Sequence, residues 1–144
     1  MVGEWTCEGE YPVGPDKPPV KWTATEFVRD VGGIWVVAES RMQSPEGGEH
    51  INIMTLGYDS DKKRFVGTFI GSMMTGMWIY DGSLEGDKLT LDTEGPSMED
   101  PTKTSKYQDI VEFQGDDQRT LYSQVMGADG QWHKFMTTDY RRKA

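Results

Sequence analysis

Two carboxylates stand inside apolar stretches and not in turns. Glu26 sits in Trp22-Thr23-Ala24-Thr25-Glu26-Phe27-Val28, and Glu39 in Trp35-Val36-Val37-Ala38-Glu39. Glu26 shares its alternation phase with Trp22, Ala24 and Val28, and Glu39 with Trp35 and Val37. If those phases face inward, two carboxylates enter the interior, where each needs a cationic partner or a raised pKa. Such a group is also a candidate general base for an isomerase or hydrolase. Arg29 and Arg41 are the strand-borne cations nearest in sequence. If the phases face outward, the indoles lie flat on the surface and the carboxylates are solvated.

Other chemistries find no constellation. His50 and His133 are the only histidines, and zinc wants three or four ligands at close spacing. The single Cys7 excludes an intrachain disulfide and a four-cysteine metal site. No Gly-x-Ser-x-Gly elbow occurs, and Cys7 sits in a strand pattern with no histidine beside it. Gly71-Ser72-Met73-Met74-Thr75-Gly76 lacks the Lys and Ser/Thr of a phosphate loop and leads into a strand. No catalytic residue, metal or cofactor is therefore assigned. Met73 and Met74, followed by Met77 and Trp78, read instead as a pliable apolar rim.

The elements that position these residues are strands. Alternation predicts about ten, from Gly3 to Tyr11, Val20 to Asp30, Ile34 to Gln43, Glu49 to Tyr58, Arg64 to Ser72, Gly76 to Ser83, Lys88 to Glu94, Ser105 to Gln114, Arg119 to Met126 and Gln131 to Arg142. Between them lie short polar turns such as Gly32-Gly33, Pro45-Glu46-Gly47-Gly48 and Ala128-Asp129-Gly130, and the Pro-rich loop from Pro12 to Pro19. The looser Gly95 to Lys103 stretch is the expected lid or disordered tip. With no crossover helix, neighbours are antiparallel in an up-and-down order. A long meander hides its edges by closing. Barrels of ~8 strands are just filled or hold one small ligand, so about ten enclose a cavity.

The whole of 1–144 reads as one such β-barrel domain. Gly3 and Trp5 at its start face Arg141 and Arg142 at its end, so a guanidinium lying across the indole would latch first strand to last. A net charge of −9 disfavours nucleic acid and anionic membranes. Mean hydropathy is −0.65, no apolar run reaches the ~18 residues of a membrane helix, and no signal peptide is read at the start. A cytoplasmic protein is the expectation.

Gly3-x-Trp5 near the start, with Arg141 or Arg142 near the end, resembles the calycin signature shared by lipocalins and fatty-acid-binding proteins. A second resemblance covers nearly the whole chain. Val2-Gly3-Glu4-Trp5, Met54-Thr55-Leu56-Gly57-Tyr58-Asp59, Phe65 to Thr75, Thr93-Glu94-Gly95-Pro96 and Asp129-Gly130-x-Trp132-x-x-Phe135-Met136 are similar to the bacterial family of domain of unknown function 1579. That resemblance implies a calycin-like barrel and assigns no activity. Members carry an amphipathic segment before Gly-x-Trp. Here Met1-Val2 stands directly before it, so an uncovered barrel end and a homodimer through it are expectations. The Gly-x-Trp-x-Cys7-x-Gly start also resembles the haem-binding nitrobindins, which carry Gly at that Cys and a haem-ligating His near the C-terminus. One His133 is thin support for haem.

The expected function is binding of a small apolar or amphipathic molecule inside the barrel. The expected walls are Trp22, Trp35, Met54, Phe69 and Trp78, with Met73 and Met74 at the rim. Glu26, Glu39, Tyr80 and His133 are the polar contacts. An enzyme using an inner carboxylate, or a dimeric interaction module with a filled barrel, are the alternatives.

Overall fold

The computed structural model describes residues 1–11, 14–44 and 47–143, with Tyr11 described by its backbone alone. Pro12 and Val13 of the Pro-rich loop, and Pro45 and Glu46 of the next expected turn, lie outside the described residues. Ten strands are present: β1 (Gly3–Tyr11), β2 (Val20–Val31), β3 (Trp35–Gln43), β4 (Glu49–Asp59), β5 (Arg64–Gly71), β6 (Trp78–Glu85), β7 (Lys88–Pro96), β8 (Thr104–Phe113), β9 (Gln118–Met126) and β10 (Trp132–Arg142). Each pairs antiparallel with its sequence neighbours, and β1 pairs with β10 to close the barrel. Gly32 and Gly33 both have positive φ, which a tight type I′ hairpin turn requires, and Asp30 Oδ2 accepts from the Gly33 N–H at 3.0 Å.

The expected break at Gly95 begins later. Gly95 and Pro96 belong to β7 and pair with Ser105 and Thr104. The loop beyond them is closed by the Ser97 N–H donating to Lys103 O at 2.9 Å, and Asp100 accepts from the Thr102 hydroxyl at 2.6 Å. Its polar groups are tied to one another, which makes it a hydrogen-bonded turn.

Register decides which phase faces in. Trp5 pairs with Glu26 and Arg142, Glu26 with Ser40, and Val28 with Ala38. Directly paired residues share a face. Glu26 therefore faces inward with Trp22 and Val28, whereas on β3 the inner phase is Val36, Ala38, Ser40 and Met42. Trp35, Val37, Glu39 and Arg41 point outward.

Packing differs sharply between the two ends. At the end where Trp5 lies, inward side chains form two buried clusters. One gathers Leu56, Tyr80, Leu89, Leu91, Val111 and Leu121, and the other Trp5, Val28 and Ala38. Burial of such side chains stabilises by about 1.5–3 kcal/mol each. At the opposite end the inward residues Trp22, Met42, His50, Asn52, Trp78 and Val125 are only half-buried. The barrel is thus packed at a latched end and open at a mouth.

Candidate functional site

The latched end is built around one indole. Arg142, inward on β10, places its guanidinium carbon 4.4 Å from the Trp5 ring centroid. The same guanidinium donates to Val2 O at 2.5 Å and to Asp116 O at 2.8 and 3.1 Å, lacing the chain's start to the β8–β9 turn. Gly3 allows this because a Cβ there would collide with Arg142. Arg141 is on the outer phase and takes no part beyond its carbonyl, which accepts from Thr6 Oγ1 at 3.3 Å. A second cation, unforeseen in the sequence, lies on the same ring. Arg119 of β9 is 4.4 Å from the Trp5 centroid and 4.0 Å from that of Tyr140.

Above this cluster lies a buried polar layer. Arg119 Nη2 donates to Glu26 Oε1, and both side chains are almost wholly buried. Burial raises the Glu26 pKa, against the pull of Arg119. Arg119 Nη1 is buried with no partner among the described residues. Alongside, Tyr80 donates to Asp109 Oδ2, and Ser123 Oγ donates to Asp109 Oδ1 at 2.6 Å. Burial pushes the Asp109 pKa up although both hydroxyls oppose the shift. It pushes Tyr80 up as well, helped by Asp109. Cys7, inward between Ala24 and Tyr140, is buried and its thiol is raised to about 12, first by desolvation and then by Glu26. That thiol is a spectator near neutral pH.

The mouth is aromatic on one side. Trp22 occupies the space that Gly9 leaves bare, and Trp78 does the same over Gly95. Trp78 meets Tyr107 edge-on at 5.1 Å, and Tyr107 meets Phe135 at 6.1 Å. Strands β6 and β7 are paired only from Asp81↔Asp92 to Glu85↔Lys88. Their mouth-side halves therefore separate, with the Trp78 ring across the gap. At this gap lies a cleft of about 620 Å³, lined by the inward Thr93 and Tyr107 as well as by Met77, Ile79, Asp92, Glu94, Lys106, Met126 and Trp132. Thr93 Oγ1 there is buried without a partner among the described residues.

The expected ligand residues divide between these places. Trp22 and Trp78 line the mouth, and Glu26 and Tyr80 belong to the polar layer. Met54 and Phe69 face inward but pack against the core clusters. Met73 and Met74 form an exposed rim, where Met74 Sδ accepts from Trp78 Nε1 at 3.2 Å. Two expectations of inward placement fail. Trp35 lies outside against Gly57. Glu39 lies outside and is bonded to Arg41 at 2.9 Å, because the β2–β3 register sets its phase opposite to that of Glu26. His133 pairs with the inward Val125 and so keeps the inner phase at the mouth, where it is exposed and turned to Asp129 at 3.0 Å. Asp109, Ser123 and Arg119 were missed. Their inward phase is shared with Val111 and Leu121, and that alternation was the available signal.

Among solved structures, the barrel resembles the crystal structure of Rv2717c from M. tuberculosis, with a TM-score of 0.60 and 13% identity over 99% of this chain and 92% of that one. This likeness is one of fold. No curated protein matches the sequence. The profile of the family described as protein of unknown function (DUF1579) matches residues 1–142, and the chain therefore belongs to that family, as a calycin-like, ten-stranded barrel.

Proposed function

We propose that the protein binds a small amphipathic molecule at the mouth of the barrel, in the cytoplasm. One observation carries this reading: inward side chains at the mouth are half-exposed above a buried polar layer, whereas the other end is packed. Wall residues such as Trp22, Met42 and Trp78 suit an apolar body, which gains ~25 cal/mol per Å² buried. The polar layer suits a head group.

Charge balance in that layer favours a neutral head. Glu26 is already matched by Arg119, and both oxygens of Asp109 already accept from hydroxyls. A carboxylate or ammonium arriving there would be desolvated without a free counter-ion. The same engagement weighs against the general-base reading, since Asp109 has no oxygen without a donor. The test is calorimetry with alcohols, acids and amines of one chain length, read beside Trp emission. Neutral amphiphiles are expected to bind most tightly, with a negative heat-capacity change. Absence of binding by every member, and by an anilinonaphthalene dye, would defeat the reading.

A further inference from the structure

We propose that the outer face of β3–β5, with its margins on β2 and β6, is the docking surface for a second copy of this chain. The outer phase of a solvated barrel should be polar, and over half of this barrel it is. On β7–β10 and β1 that phase carries Asp92, Gln108, Glu112, Asp139, Glu4 and Glu8, and its apolar members Ile110, Tyr122 and Met126 are buried or half-buried among them. On β2–β6 it carries Phe27, Trp35, Ile53, Val66, Ile70 and Ile79, with Ile53 directly paired to Ile70, Ile79 diagonal to Ile70 across the β5–β6 ladder, and Phe27 in the same cross-strand row beyond Glu39. Phe27, Trp35, Ile70 and Ile79 are each at least 40% exposed, too much apolar surface in one place for a scatter of single residues.

Charge identifies the occupant. Two chains of net charge −9 repel except where the surface is locally neutral. On this face Arg41 lies between Glu39 and Glu49 at 2.8 and 2.5 Å, and Arg64 bonds Asp81 at 2.7 Å. Over the whole outer phase of β2–β6, Lys21, Arg29, Arg41 and Arg64 stand against Glu39, Glu49, Asp59, Asp81 and Glu85, within one charge of neutral. The face is thus the neutral part of an acidic molecule, suited to a surface equally acidic elsewhere. Its size also fits. Five strands at ~4.8 Å spacing and six residues at ~3.3 Å rise span roughly 500 Å² before side-chain relief. That meets the ~500 Å² per partner of a small specific interface. A twofold arrangement places the same patch on both copies.

The experiment is sedimentation of the full chain from about 1 to about 100 µM, beside Phe27→Lys, Ile70→Lys and, on the polar flank, Gln108→Lys. The wild type and Gln108→Lys are expected to approach twice the 16.3 kDa chain mass. The two face variants should stay at the single mass, with association weakened at least tenfold. Hydroxyl-radical labelling of wild-type Trp35 supplies a readout that needs no variant, and it should fall at the high concentration. A wild type monomeric throughout overturns the proposal. So do face variants that associate like the wild type, or Trp35 labelling that ignores concentration.

Discussion

Arg119 donates to Glu26 across 93 residues of chain, and among the described residues no other cation is paired with that carboxylate. Removing one partner strands the other in the interior. Arg119→Met is therefore expected to cost about 3–5 kcal/mol, while Glu26→Leu with Arg119→Met together should recover most of that loss. Urea denaturation of the two single variants and the double variant measures the coupling. A double variant as unstable as the sum of the singles would show that the pair acts independently.

Trp5 is 2% exposed and carries both guanidinium groups, and its Nε1 donates to Met1 O at 2.7 Å. Trp5→Ala should destabilise by about 3–5 kcal/mol, the range for truncating a buried aromatic. Arg142→Ala should cost less, since that guanidinium is partly solvated. An unchanged melting temperature for Trp5→Ala would remove the latch from the account of stability.

Asp109 makes stability fall with rising pH. Its folded pKa is raised by burial, so above the ordinary carboxylate value the native chain retains a proton that the unfolded chain has lost. The contribution is complete below that ordinary value and is lost as pH climbs through the raised one. Asp109→Asn should flatten the melting temperature between mildly acidic and neutral pH. An identical pH slope in wild type and variant would show that Asp109 ionises freely.

The Trp78 ring is seated on bare backbone at Gly95. Gly95→Val should displace the indole, shift its emission to longer wavelength and alter the rate at which an amphiphilic probe enters, with the far-ultraviolet spectrum retained. Unchanged entry rates would mean that ligands pass only through the mouth.

His133 stands exposed at the mouth, turned to Asp129. Mixing with hemin is expected to give no Soret band. A band abolished by His133→Ala would assign this histidine an axial role.

Strand count, order and closure were legible because period-two alternation and turn residues recur along the whole chain. The seam was legible too, as Gly3-x-Trp5 facing a terminal arginine pair. Phase was harder. Glu26 and Glu39 have the same local signature, an acid two to four residues from Trp and aliphatic neighbours, yet one lies inside and the other outside. The difference comes from the β2–β3 register, which depends on the length of the Gly32-Gly33 turn. Arg119 was invisible for a related reason. It opens the expected strand Arg119 to Met126, and its burial comes from Trp5, Glu26 and Tyr140, partners brought to it only when the barrel closes. Gly9 and Gly57, inside expected strands, and Gly95, in the stretch expected to be loose, proved to be seats for indoles.

The β1–β10 seam has a consequence for how the molecule is made. Thr6 and Arg141, bonded across it, are 135 positions apart. Every other ladder among the described residues joins sequence neighbours and can zip from its hairpin in microseconds. The seam cannot form until β10 exists. During synthesis at ~5–20 residues per second, β1 therefore waits for seconds with an unpaired edge. Its outer phase carries Glu4, Glu8 and Glu10, a row of like charges that repels a second nascent β1 and leaves the edge free for its own final strand.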